Sequence, residues 1–151
     1  MKFHKLMVKD VITLQTDASA YDAVKLMNKN RIGCLVALDN GKIVGILTER
    51  DVLERVVEKC KNPKKTRVSK IMTRQVIVAK PDMELVEATT LMFENKVKKL
   101  PIVEGNRLVG LVTFTDIARA TSMYAHMDVD RKTLELIEAL SNLRDVRKSF
   151  E

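Results

Sequence analysis

The sequence predicts an α/β (α+β) fold made of two copies of one β-α-β-β-α unit, followed by a C-terminal amphipathic helix. Three observations support this prediction. The chain matches itself without a gap when it is shifted by 65 residues. Its 151 residues are 46% hydrophobic and include three prolines and five glycines, a composition typical of folded chains. Residues 129–150 carry apolar side chains every three or four positions, which is the spacing of one helix face.

The self-match indicates an internal duplication. It aligns residues 5–51 with residues 70–116, and the identical pairs include Ile12/Ile77, Asp17/Asp82, Ala23/Ala88, Leu26/Leu91, Met27/Met92, Gly45/Gly110, Thr48/Thr113 and Asp51/Asp116. We therefore predict repeat 1 over residues 5–58, a basic linker over 59–69, repeat 2 over 70–122 and a helix over 129–150. One such repeat buries little apolar surface, so we expect the two to share a core.

Each element of the repeat has its own sequence signal. Residues 11–14 are a short apolar strand, and the helix that follows has apolar residues at the spacing i, i+3, i+4 and i+7, namely Ala20, Ala23, Val24 and Met27. Residues 34–38 and 42–47 form a hairpin through Asp39, Asn40 and Gly41. A second helix begins near Glu49 and ends near Lys59. The second copy repeats the pattern, with Leu85, Ala88, Thr89 and Met92 in its first helix, strands at 100–103 and 107–112, and a helix over 114–123.

The charge of the chain favours anionic ligands or partners. The 27 basic and 20 acidic residues give a net charge of +7. Residues 59–70 hold six basic side chains and no acidic one, and Pro63 interrupts any helix there. This segment is either a solvated linker or a patch for nucleic acid or lipid headgroups, although it lacks the interleaved aromatic residues that favour nucleic-acid binding.

Several function classes have no support in the sequence. No apolar run approaches the roughly 18 residues that span a bilayer, and the N-terminus lacks the apolar core of a signal peptide, so we expect a cytoplasmic protein with no membrane partner. Cys34 and Cys60 form no CxxC pair, and His4 and His126 lie far apart in sequence. We therefore expect no metal, no catalytic residues and no cofactor other than a regulatory ligand.

The motif Gly-x-x-Thr-x-x-Asp occurs at residues 45–51 and again at 110–116, each time where a strand passes into a helix. The first amide groups of a helix suit an anion, a carboxylate one turn into the helix can accept two hydrogen bonds from a ribose diol, and threonine can bond to ribose or phosphate. The same pattern also fits a capping box, which stabilises a helix by about 1 kcal/mol. Both interpretations stay open at this stage.

The gapless pair of β-α-β-β-α units, each closing with this motif, resembles a tandem of cystathionine β-synthase (CBS) domains, often called a Bateman module. The resemblance covers about residues 5–122. It implies that the repeats pack as a pseudo-twofold pair with two clefts between them, which commonly bind adenosine-containing ligands such as AMP, ADP, ATP or S-adenosylmethionine. It also implies that Asp51 and Asp116 hold ribose hydroxyls and that Thr48 and Thr113 support ribose or phosphate.

Further ligand contacts follow from the same resemblance. Basic residues often precede the second strand of a repeat in family members that bind phosphates, and Lys98 and Lys99 occupy that position here, whereas Gly33 and Cys34 occupy it in repeat 1. We therefore expect the two clefts to differ. Arg50, beside the first motif aspartate, is another phosphate candidate. Adenine is expected to contact the apolar residues Val11, Ile12, Val76 and Ile77, although core packing explains these four equally well.

The tail is the remaining feature. Asp130 is a candidate N-cap, the apolar positions include Leu136, Leu140, Leu143, Val146 and Phe150, and three cations, Arg144, Arg147 and Lys148, suit the C-terminal half of the helix. The helix either folds back on the core of its own chain or contacts a partner. The family resemblance favours a homodimer.

Taken together, these features favour a non-catalytic regulatory module that binds adenine nucleotides or S-adenosylmethionine and signals to a regulated protein that the sequence does not identify. One alternative is a constitutive oligomerisation scaffold with vestigial clefts. Another is a nucleic-acid-associated regulator that uses the basic linker. An enzyme is the least supported class, because the chain has no nucleophile relay, metal cluster or P-loop.

Overall fold

The computed structural model describes residues 3–123 and 129–142. Within these ranges the chain forms two compact units of mixed α/β structure. The first unit contains residues 10–76, and the second contains residues 3–9 and the described residues from Ile77 onward. No helix in the described ranges combines the length and the apolar character needed to cross a membrane.

The sheet of the first unit has three strands in the order β1 (Thr13–Gln15), β2 (Cys34–Asp39) and β3 (Lys42–Thr48). β1 is parallel to β2, and β2 is antiparallel to β3. The hairpin turns at Asn40 and Gly41, whose φ angles are 47° and 76°. Asparagine and glycine tolerate this left-handed conformation, so the Asn-Gly dipeptide determines the turn as the sequence predicts.

The sheet of the second unit is an antiparallel hairpin of β4 (Lys99–Glu104) and β5 (Arg107–Thr113). The strand expected at the start of this repeat is reduced to a single parallel bridge between Ala79 and Ile102. A proline explains the difference. Pro101 of β4 has no N–H to donate, whereas its equivalent in the first unit, Val36, pairs with Thr13 of β1.

The helices of the first unit are α1 (Ala20–Asn30), α2 (Glu49–Val52) and α3 (Val68–Ile71). α2 continues directly into a π-helical turn, Leu53–Val57. The helix expected from Glu49 to Lys59 is therefore shorter than predicted, and its last five residues have π geometry. Ser19 caps α1 by accepting a hydrogen bond of 3.0 Å from the Asp22 amide.

The second unit contains a short 3-10 helix, Phe3–Leu6, and the helices α4 (Leu85–Asn95), α5 (Phe114–Met123) and α6 (Arg131–Asn142). Each unit has its own hydrophobic cluster, in which the first long helix and the hairpin supply most side chains. The predicted helical spacing is confirmed, because the buried positions of the two helices are Ala20, Ala23 and Met27 in α1 and Leu85, Ala88, Thr89 and Met92 in α4.

Both units include a short segment that the sequence repeat assigns to the other copy. Residues 70–76 belong to the first unit, and residues 5–9 belong to the second. Thr73 forms an antiparallel bridge with Ile46 of β3, and Val8 forms the equivalent bridge with Leu111 of β5. Each segment thus continues the hairpin sheet of its unit beyond the last strand.

A methionine of each segment packs on the motif glycine. A Cβ atom added at Gly45 would lie 2.8 Å from Cγ of Met72, and one added at Gly110 would lie 2.6 Å from Sδ of Met7. Real Cβ atoms do not approach so closely, so only glycine leaves room for the methionine. The glycine of the Gly-x-x-Thr-x-x-Asp motif therefore has a packing role in both units.

Substituting this glycine should destabilise the first unit. We expect Gly45→Ala to lower the free energy of unfolding by about 1–3 kcal/mol, because buried Met72 has to move. Urea denaturation measures the change, and the double variant Gly45→Ala/Met72→Ala is the control. If Gly45→Ala lowered the free energy of unfolding as much in the Met72→Ala background as in the wild type, the glycine would not act through its contact with Met72.

The described part of the tail helix packs on its own unit. Leu140 of α6 is fully buried in the cluster of the second unit, Ile137 packs against that cluster, and α6 lies on α4 and α5. Of the two interpretations of the tail, folding back on its own core is therefore the one that the structure shows for Arg131–Asn142. The predicted positions Leu143, Arg144, Val146, Arg147, Lys148 and Phe150 lie outside the described residues.

The cap predicted for α6 is confirmed. The Asp130 carboxylate accepts hydrogen bonds of 2.9 Å from the Thr133 amide and from the Thr133 hydroxyl. These bonds, the amide first, hold the pKa of Asp130 below its ordinary value. With its pKa depressed in this way, the ionised carboxylate stabilises the fold at pH values above the ordinary pKa. This contribution is lost as the pH falls through the folded-state pKa.

Candidate functional site

The two motif aspartates occupy the same position in their units, at the start of the helix that follows the hairpin. In the first unit the Asp51 carboxylate accepts hydrogen bonds from the Thr48 amide at 2.8 Å and the Thr48 hydroxyl at 3.0 Å. In the second unit Asp116 accepts the same two bonds from Thr113, at 2.9 and 2.7 Å. In both, the threonine hydroxyl also accepts the aspartate amide at 3.2 Å. The capping box is therefore formed in both units.

The capping box uses only one oxygen of each carboxylate, Oδ2. The other oxygen, Oδ1, lies outside the capping box, and its surroundings differ between the two units. Asp51 is fully buried, and its Oδ1 lies 3.5 Å from Nη2 of Arg55 and 3.5 Å from the Thr73 hydroxyl. Asp116 is half-buried, and among the described residues no group donates a hydrogen bond to its Oδ1.

Arg55 connects the buried aspartate to the segment that enters from the other sequence repeat. Its Nη1 donates a hydrogen bond of 2.7 Å to the Ile71 carbonyl, while its Nη2 faces Asp51. Neither Arg55 nor Thr73 is among the site residues that the sequence motifs predict. The i, i+4 spacing of Asp51 and Arg55 is a signal that could have identified the arginine. Thr73 is 22 residues from the aspartate, and only the fold brings the two together.

The structure brings Lys98 and Lys99 to the site of the second unit. Lys99 is the β-ladder partner of Thr113, and the carbonyl of Lys98 accepts a 2.8 Å hydrogen bond from the amide of Phe114, the first residue of α5. The Lys98 ammonium lies 5.9 Å from the centre of the Phe114 ring. Both lysines are half-buried, and these backbone contacts place them next to Thr113 and the first residue of α5.

The equivalent place in the first unit is acidic instead of basic. Gly33 and Cys34 replace the two lysines, and Glu49 replaces Phe114. The Glu49 amide bonds to the Gly33 carbonyl at 3.1 Å, and a Cβ atom added at Gly33 would lie 3.1 Å from Oε1 of Glu49. The Glu49 carboxylate thus lies over Gly33, the position from which the Lys98 side chain extends in the second unit.

The remaining predicted site residues have mixed surroundings. The Arg50 side chain is 53% exposed and lies 3.7 Å from Glu54. Ile12 packs against the core of the first unit and Ile77 against that of the second, so core packing accounts for these two. Val11 and Val76 are half-buried, and neither is part of a core cluster.

A family model for the CBS domain matches residues 4–58 and again residues 68–122. The chain belongs to the CBS domain family. The resemblance seen in the two Gly-x-x-Thr-x-x-Asp motifs is therefore confirmed, and the chain is a tandem pair of CBS domains.

Individual relatives agree with this assignment. An inosine-5'-monophosphate dehydrogenase of Methanocaldococcus jannaschii is 36% identical over 150 residues, and the match covers 98% of this chain but only 29% of the dehydrogenase. The uncharacterized protein MJ1426 of the same organism is 35% identical, with 76% of this chain and 90% of that protein covered. The crystal structure of the CBS domain protein TA0289 of Thermoplasma acidophilum, described as of unknown function, has a TM-score of 0.78 at 28% identity. The match covers 96% of this chain and 78% of the TA0289 chain.

Proposed function

We propose that this CBS pair is a non-catalytic regulatory module that binds an adenosine-containing ligand, AMP, ADP, ATP or S-adenosylmethionine, and passes the ligand state to a partner protein. One observation carries the proposal. At the start of α5, the half-buried Asp116 keeps one carboxylate oxygen outside the capping box that it forms with Thr113, and Lys99 is the β-ladder partner of that threonine. A carboxylate oxygen suits ribose hydroxyls and an ammonium group suits phosphate, so the three side chains together match a nucleotide.

The regulatory part of the proposal requires that the ligand changes the protein. A ligand shifts a conformational equilibrium only as far as it binds one state better than the other. The exchanged segments are a suitable element for such a change. Residues 70–76 join the first unit through the bridge to Ile46, through Met72 on Gly45, and through Arg55. We propose a homodimer in the cytoplasm as the working form.

The basic segment gives a second candidate function, a nucleic-acid-associated regulator. Residues 59–65 and 67 are exposed, and the ammonium groups of Lys64 and Lys25 lie 5.1 and 5.6 Å from the ring centre of Tyr21. Cations and an exposed aromatic ring are the groups that contact single-stranded nucleic acid. Binding to a labelled oligonucleotide that weakens steeply with salt would favour this candidate.

Calorimetric titration of the purified chain with AMP, ADP, ATP and S-adenosylmethionine tests the proposed ligand class. We expect at least one of them to bind with a dissociation constant in the micromolar range or below, and GTP to bind much more weakly. A thermal-shift assay with the same compounds is the independent check, since a ligand that binds the folded state raises its melting temperature. The proposal fails if none of the four gives heat or a thermal shift.

A further inference from the structure

The two units carry different charges at equivalent positions around their motif aspartates. Seven positions of the first unit, 33, 34, 49, 50, 51, 54 and 55, are equivalent to 98, 99, 114, 115, 116, 119 and 120 of the second. In the first unit these positions hold two cations and three carboxylates, a net charge of −1. In the second they hold three cations and one carboxylate, a net charge of +2. Only the second set attracts a phosphate.

The cations of the first unit are also engaged with carboxylates of the same unit. Arg50 lies 3.7 Å from Glu54, and Arg55 lies 3.5 Å from Asp51. The residue equivalent to Glu54 in the second unit is Arg119, an exposed residue three positions after Asp116 on α5. Residues three apart share a helix face, so Arg119 adds a cation on the side of the aspartate where the first unit has a carboxylate.

The two side chains that contact Oδ1 of Asp51, Arg55 and Thr73, are replaced by apolar residues at the equivalent positions of the second unit. Arg55 corresponds to Ala120, and Thr73 corresponds to Val8, and neither alanine nor valine has a side-chain hydrogen-bond donor. The Asp51 carboxylate is thus held on both oxygens and is fully buried, whereas no group within residues 3–123 and 129–142 donates a hydrogen bond to Oδ1 of Asp116, which can accept one from an external donor.

From these differences we infer that the two motif aspartates have separate roles. Asp116, with Lys98, Lys99 and Arg119, forms the single site of the chain for a phosphate-bearing adenosine ligand, whereas Asp51 is a structural residue that holds α2 and residues 71–73 together. This inference rests on the proposed function and adds to it which unit binds and which ligand class it prefers. ADP and ATP are therefore expected to bind more tightly than adenosine and S-adenosylmethionine.

Titration of the full chain and of two matched variants, Asp51→Asn and Asp116→Asn, with ADP tests the separation of roles. We expect one ADP per chain for the wild type. Asp116→Asn should raise the dissociation constant by about tenfold or more, since a hydrogen bond to a charged group is lost. Asp51→Asn should leave the dissociation constant within about twofold and lower the melting temperature. Should Asp51→Asn not fold, Arg55→Met replaces it, because that variant opens the same contact and keeps the aspartate.

Comparison of ADP with adenosine tests the preference for phosphate. The double variant Lys98→Met/Lys99→Met should remove most of the advantage of ADP over adenosine, and Lys132→Met, which changes an exposed lysine of α6 in the same unit, should preserve it. Two equivalent ADP sites, or loss of ADP binding in Asp51→Asn or Arg55→Met but not in Asp116→Asn, would overturn the inference. If neither ADP nor adenosine binds the wild type, the proposed function fails first, so the two failures are distinguishable.

Discussion

Replacing Asp51 by alanine is expected to lower the free energy of unfolding by about 3 kcal/mol. The substitution removes the capping box, which contributes about 1 kcal/mol, and leaves the Thr48 amide without its acceptor, which costs a further 1–3 kcal/mol in a buried site. It also separates Arg55 from its carboxylate. Because Arg55 is 38% exposed and the closest approach is 3.5 Å, we expect this last contribution to be small.

The matched variant Asp116→Ala provides the control for this expectation. Its capping box has the same geometry, but the residue is half-buried, so water can replace the lost acceptor. We expect a loss of about 1 kcal/mol, the usual effect of removing a cap. Urea denaturation of both variants measures the difference. Equal losses would contradict the structural role assigned to Asp51.

Replacing Leu140 by alanine is expected to cost about 2–4 kcal/mol, because a fully buried leucine of the second-unit core is truncated. The same change should release α6 from α4 and α5. Hydrogen exchange of the amides in Arg131–Asn142 would then accelerate, while exchange in α1 of the first unit would change little.

Leu134 offers the control in the same helix. Its side chain is 46% exposed, so Leu134→Ala should change the stability by less than about 0.5 kcal/mol. If Leu134→Ala were as destabilising as Leu140→Ala, the orientation of α6 on its unit would have to be different from the one described above.

The parts of the fold that the sequence predicts are those with local signals. The Asn-Gly turn determines the first hairpin, the apolar spacing identifies α1 and α4, and Asp130 marks the start of α6. These signals depend on residues within a few positions of each other, so no knowledge of the tertiary structure is required.

The exchange of segments 5–9 and 70–76 could not be predicted in this way, because it joins residues far apart in the chain. One clue was present in the sequence. Met7 and Met72 occupy equivalent positions in the two repeats, as do Gly45 and Gly110, but nothing in a single sequence shows that the methionines pack on the glycines. The loss of the first strand in the second unit depends on Pro101, whose effect is clear only when its ladder partner is known.

The candidate site also combines features that the sequence predicts with features that only the tertiary structure shows. The two Thr-Asp pairs were recognised from their spacing, and the structure shows that each forms a capping box. The sequence could not show that Asp51 is buried against Arg55 and Thr73 whereas Asp116 is half-buried, because this difference arises from packing. It did show the contrast between Lys98-Lys99 and Gly33-Cys34, which is the charge component of the same difference.

A crystal structure of the chain with ADP is the most direct test of the central claim, that a carboxylate at the start of α5 holds the ribose of an adenosine ligand. We expect ribose hydroxyls within hydrogen-bond distance of Asp116 Oδ1, phosphate oxygens beside Lys98, Lys99 or Arg119, and Asp51 still in contact with Arg55. ADP bound at Asp51 with the Asp116 site empty, or ADP absent from both sites at saturating concentration, would contradict it.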